Sequence, residues 1–218
     1  MFLPNYCLVV RPAGVYPLDR KNGGRDISGN RNPTAFLSNV KRTRGPKGRP
    51  DGALSFPGKP VGYVKIPNRG GLATRGDLTY MAWVYPTGGF GIIISHGLTL
   101  KVDRYKRLVL YINRFLSVRS RRRLRKRRWN LVAVTFRRRT YESKVYVKGQ
   151  AWIRHSFGRR QPFTRRSVYI GGKPGARSGF MGRITCVQFF KKYLTARQII
   201  RAGKRCIRRF PIKYSLMF

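Results

Sequence analysis

Two stretches of this chain alternate with the period of two that belongs to β-strands. Leu78-Thr79-Tyr80-Met81-Ala82-Trp83-Val84-Tyr85 is closed by Pro86 and the turn Thr87-Gly88-Gly89. Trp129-Asn130-Leu131-Val132-Ala133-Val134-Thr135-Phe136 runs into a polar turn, residues 137–143, and then Lys144-Val145-Tyr146-Val147, so these two read as neighbours. Lys148-Gly149 supplies the next reversal. Shorter strand candidates are 14–18, 53–56, 62–66, 91–95, 98–102, 107–112, 167–170 and 182–190. About a dozen short strands separated by Gly, Pro, Asn and Asp clusters predict an all-β fold, an antiparallel two-sheet sandwich. One short C-terminal helix is expected after Leu194. Thr195 is its N-cap, Gln198 stands in capping-box position, Ile199 and Ile200 give it an apolar face, and it should end near Gly203.

Charge narrows the chemistry. The 218 residues carry 49 Lys+Arg against 6 Asp+Glu, a formal net charge of +43. The acids are Asp19, Asp26, Asp51, Asp77, Asp103 and Glu142, too few and too scattered for a catalytic carboxylate pair or a carboxylate metal cage. Two histidines, His96 and His155, leave little for a metal centre or a general base. Ser95-His96 is the one local nucleophile-and-base pair, and adjacent strand residues point to opposite faces. No enzyme activity and no cofactor are expected. Aromatic residues at 13% and hydrophobic residues at 41% argue for a folded domain with a cationic surface.

The cysteines are Cys7, Cys186 and Cys206, without the paired CxxC spacing of a zinc site. On spacing alone, Cys186 and Cys206 read either as a disulfide or as two buried free thiols. Residues 1–10 are interrupted by Pro4 and Asn5 and do not read as a secretory signal, and no stretch approaches the roughly 20 apolar residues of a membrane helix.

The order of motifs resembles the laminin G-like, concanavalin A-like jelly-roll family in its cnidarian-type version. Tyr16-Pro17-Leu18-Asp19 and Gly24-Arg25-Asp26-Ile27-Ser28-Gly29-Asn30 resemble its opening, followed by Asp51-Gly52-Ala53-Leu54-Ser55-Phe56 and Tyr63-Val64-Lys65-Ile66-Pro67. The segments 78–86 and 129–136 are similar to its two most recognisable strands, with Trp83 and Trp129 read as core residues. Residues 145–150 resemble its hairpin, and 182–190 with Leu194-Thr195 its closing strand and helix. The resemblance covers about residues 14–208. It implies a jelly-roll sandwich over 14–209, with a poorly ordered flank at 1–13 and a tail at 210–218. It also implies that the family's late disulfide joins Cys186 to Cys206, which points to an extracellular setting. Some relatives bind calcium through loop carboxylates. Here Asp19 and Asp26 stand beside Arg20 and Arg25 and are read as turn caps.

Of the 49 cationic residues, 34 are arginine, whose planar fork suits sulfate, phosphate and carboxylate. The densest run comprises Arg119, Arg121, Arg122, Arg123, Arg125, Lys126, Arg127 and Arg128, read as a loop before the Trp129 strand. A strand of eight residues separates it from Arg137-Arg138-Arg139 by about 26 Å, beyond a Debye length of about 8 Å. The run is therefore the candidate polyanion site. Arg159-Arg160, Arg165-Arg166 and the C-terminal cations are expected to lengthen the footprint rather than concentrate it. Three readings stand: a non-catalytic extracellular binding or adhesion module engaging sulfated glycans or acidic matrix proteins, a nucleic-acid-binding or nuclear basic protein, and a jelly roll without a dedicated ligand site. No nucleic-acid-binding motif supports the second.

Overall fold

The two alternating segments lie side by side at the centre of one sheet. The computed structural model describes residues 10–112 and 116–208; Cys7, Arg209, most of the expected flank and the expected tail 210–218 lie outside them. In chain order the strands are β1 (Gly14–Tyr16), β2 (Phe36–Ser38), β3 (Lys41–Thr43), β4 (Ala53–Pro57) and β5 (Tyr63–Ile66). They continue with β6 (Leu78–Gly88), β7 (Gly91–His96), β8 (Leu98–Val102), β9 (Arg107–Tyr111) and β10 (Ser117–Arg123). The last are β11 (Asn130–Arg137), β12 (Glu142–Val147), β13 (Gln150–Ser156), β14 (Val168–Ile170) and β15 (Met181–Phe190), before the helix α1 (Ala196–Ile207).

The first sheet has the order β13-β12-β11-β6-β15-β4-β3, with β1 also on β15; the second runs β10-β9-β8-β7-β14-β5-β2. Neighbouring strands pair antiparallel throughout, giving the expected jelly-roll sandwich. Alternation decides the inner face. Tyr80, Ala82 and Val84 of β6, Val132, Val134 and Phe136 of β11, and Ile184, Val187 and Phe189 of β15 meet Ile94, Leu98, Leu100, Leu108 and Leu110 of the second sheet. β15 serves two partners in turn. Its first half pairs with β4 and its second with β1, across a bulge where Cys186 takes φ 52°.

A smaller core lies on the outer face of the first sheet, where Met81, Leu131, Ala133, Tyr146, Phe190 and Leu194 are covered by Ile199 of α1. The capping box forms as expected: the Gln198 N–H donates to Thr195 Oγ1, and the Thr195 N–H donates to Gln198 Oε1. The helix does not end at Gly203. It continues to Ile207, because Gly203 is a contact residue rather than a C-cap. A Cβ there would stand 2.5 Å from a Leu131 methyl, and Trp83 Nε1 donates to its carbonyl at 3.0 Å. Trp83 thus belongs to this outer core, not the inter-sheet one. Trp129 precedes β11 and lies half-buried on Tyr85, with ring centroids 5.4 Å apart. Among the described residues no helix is long and apolar enough to cross a membrane.

Candidate polyanion interface

The arginine run is not one loop. Its first half is β10, the edge strand of the second sheet, and its second half is the turn into β11. β10 starts in register with β9, with Arg119 opposite Val109. It then bulges, so that Arg123 faces Arg107. Ser120 is buried inside the bulge, where its hydroxyl accepts from the Leu108 N–H and donates to the Arg122 carbonyl, standing in for the interrupted ladder. Leu124 is buried in the core and its N–H donates to the Lys106 carbonyl. These two inward anchors leave Arg121, Arg122, Arg123 and Arg125 exposed, with Lys126, Arg127 and Arg128 following in the turn. The Arg127 N–H donates to the Pro86 carbonyl, and Asn130 Nδ2 donates to the carbonyls of Arg125 and Arg128, fixing that turn.

Electrostatics along this edge is almost one-signed. Asp103 pairs with Arg107 Nε at 2.9 Å and with Arg119 Nε at 3.6 Å, while Arg119 remains 55% exposed. Arg122 Nη1 donates to Gln150 Oε1 of β13, the edge strand of the other sheet. Burial and the neighbouring charge of Lys126 hold the Lys106 ammonium below its ordinary pKa. The other acids serve structure elsewhere. Asp26 accepts from the N–H groups of Val15 and Ser28 and from Asn32 Nδ2. Asp19 accepts from Asn22 and pairs with Arg49 at 3.2 Å, so both act as the turn caps expected.

The edge adjoins a surface that the sequence did not reveal. α1 covers the first sheet, and among the described residues no helix covers the outer face of the second. There Phe36, Lys65, Tyr169, Ser95, Thr99, Tyr111 and Ser117 form one unbroken cross-strand row from β2 to β10. Lys101 lies 4.7 Å from the Tyr111 ring centroid and Lys173 5.5 Å from that of Tyr169. Only the pairing order, unreadable from period-two alternation, brings these residues into line.

Ser95 and His96 point to opposite faces. Ser95 Oγ lies 2.8 Å from Thr99 Oγ1 on the outer row. His96 is 2% exposed inside the core, with Nε2 3.0 Å from the Leu72 carbonyl and its ring against Phe189. Burial pushes its pKa down to about 4 from 6.5, against the opposing pull of that carbonyl. The folded state therefore binds this proton more weakly than the unfolded chain does. The histidine's contribution is complete above pH 6.5 and is lost as pH falls toward 4, at up to about 1.4 kcal/mol per pH unit. Urea midpoints are expected to fall between pH 6.5 and 5, with a flatter profile in His96→Gln; parallel profiles would rule His96 out as the source.

The disulfide implied by the resemblance is present, joining Cys186 to Cys206 with Cα atoms 5.8 Å apart. It ties the β15 bulge to the last turn of α1. The sequence matches the family described as the concanavalin A-like lectin/glucanases superfamily over residues 58–200. No curated protein sequence matches significantly. Among solved structures, domain 4 of AbnA, an extracellular arabinanase from Geobacillus stearothermophilus in complex with arabinotriose, is 15% identical with a TM-score of 0.69. The match covers 88% of this chain and 98% of that one. Trypanosoma rangeli sialidase in complex with sialic acid is 18% identical with a TM-score of 0.66; the match covers 85% of this chain but 31% of the sialidase chain. The binding domain of Paraclostridial Mosquitocidal Protein 1 is 12% identical with a TM-score of 0.64, covering 81% of this chain and 48% of that one. At these identities the likeness is one of fold. With the family match over most of the sandwich, the chain belongs to the concanavalin A-like lectin/glucanase superfamily, in its laminin G-like branch.

Proposed function

We propose that this protein is a non-catalytic, extracellular carbohydrate-binding module that holds sulfated glycans along β10 and the turn that follows. One observation carries the reading: Arg121, Arg122, Arg123 and Arg125 stand exposed along one bulged edge whose only nearby acid, Asp103, is already engaged by Arg107 and Arg119. A guanidinium fork matches a sulfate bidentately, and a linear polyanion can follow a strand edge. The neighbouring row of Tyr111, Thr99 and Tyr169 offers ring faces and hydroxyls to sugar rings. The solved structures of similar fold that hold arabinotriose or sialic acid support a sugar partner, and the disulfide supports an oxidising compartment.

Substituting Ser at Arg121, Arg122, Arg123 and Arg125 together should bring elution from a heparin column to lower salt. Four exposed contacts of about 0.5 kcal/mol each correspond to a loss in affinity of about thirtyfold. Unchanged elution would remove the edge as the site. Binding of duplex DNA with the same affinity and salt slope would show generic electrostatics rather than a glycan site.

A further inference from the structure

The far end of the sandwich concentrates charge in a way the run's neighbours in sequence do not suggest. The β11–β12 turn carries Arg138 and Arg139. Its Arg138 N–H donates to Asp77 Oδ1 at 2.8 Å, which ties the turn to the loop preceding β6. That loop is bound in turn to the β13–β14 loop through Thr164, a buried residue whose hydroxyl accepts from the Thr74 N–H and donates to the Thr74 carbonyl, both at 2.8 Å. Asn68 Nδ2 donates to the Thr164 carbonyl at 2.6 Å. Three loops, distant in sequence, are thus locked together.

They present Arg75, Arg139, Arg159 and Arg165 as exposed side chains. The acids at this end are occupied: Asp77 accepts the Arg138 N–H, and Glu142 pairs with Lys144 at 2.8 Å. None of these four arginines belongs to an ion pair described in the structure. Phe163, next to the buried Thr164 in the same loop, stands 60% exposed, with Arg166 5.5 Å from its ring centroid. An exposed aromatic ring on the same set of loops as these guanidinium groups offers a stacking surface for a sugar ring and forks for its sulfates. The loop network fixes the backbone from which these side chains project, which lowers the backbone part of the ordering cost of binding.

We infer that this loop end is a second, separate site for sulfated oligosaccharide, which makes the module bivalent. The inference goes beyond the edge site and does not depend on it. The edge arginines belong to β10 of the second sheet and the turn after it, and the loop end to the β5–β6, β11–β12 and β13–β14 loops, so ligands too short to span both are expected to fill them separately. A chain long enough to occupy both gains from effective concentration.

The test is titration calorimetry with a sulfated tetrasaccharide too short to reach both ends. The native protein should bind two per chain. Ser at Arg75, Arg139, Arg159 and Arg165 should leave one, Ser at the four edge arginines should also leave one, and the combined variant none. These side chains are exposed, so all variants should keep the native melting temperature. Unaltered stoichiometry in the loop-end variant overturns the second site and leaves the edge reading standing. One site in the native protein that only the loop-end variant abolishes would do the opposite. Equally tight binding of a short duplex DNA at the loop end would overturn the sulfated-sugar assignment there.

Discussion

Phe189→Ala is expected to cost about 3–5 kcal/mol, the usual range for deleting a fully buried phenylalanine from a core. The ring is 1% exposed on the inner face of β15. It meets Tyr16 edge-on with centroids 6.2 Å apart and His96 at 5.3 Å, so both sheets and β1 lean on it. Removing it leaves a void that antiparallel strands on either side cannot close without breaking register. A second effect should accompany the first. Space beside His96 would admit water and ease the desolvation that lowers its pKa, so the variant should show a weaker acid dependence below pH 6.5 as well as an earlier urea midpoint. A loss under about 1 kcal/mol would mean that the inter-sheet core is not closely packed at this point.

Replacing Cys186 and Cys206 with Ser should cost about 3 kcal/mol, as expected for opening a loop whose ends are 20 residues apart. The effect should be local as well as global. The bridge anchors the last turn of α1, which covers Met81, Leu131 and Ala133 and receives the Trp83 indole N–H on the Gly203 carbonyl. Without it α1 loosens first, because its remaining hold is a small apolar patch. Trp83 emission should therefore shift to the red at lower denaturant than far-ultraviolet signals of the sheets. Coincident transitions would show that the helix and sandwich unfold as one unit without the bridge.

Much of this architecture was legible because alternation and turn chemistry are local. The strands with apolar inner faces, β4 to β9, β11, β12, β14 and β15, were read nearly to their ends. The four missed were β2, β3, β10 and β13, all at sheet margins. There Phe36-Leu37-Ser38 and Lys41-Arg42-Thr43 bury little, and the arginines of β10 conceal a strand whose inward residues are Val118 and Ser120, with Leu124 just beyond its end. The run itself was visible, but its bend from edge to turn comes from a bulge that composition does not encode. The loop-end cluster was visible only as scattered pairs. Convergence there rests on Thr164 and Asp77, contacts between segments 61 to 90 residues apart.

The margins of the two sheets carry a further meaning. β10 and β13 each pair on one side only, β3 carries Lys41 and Arg42, and β2 is three residues long. Unpaired strand edges are templates on which another chain can add itself, and like charge on them keeps copies apart. The guanidinium groups of β10 thus do colloidal work whether or not a ligand is present. A polyanion that neutralised them would also lift that repulsion, so ligand capture and clustering of copies on one anionic strand would be two results of the same discharge.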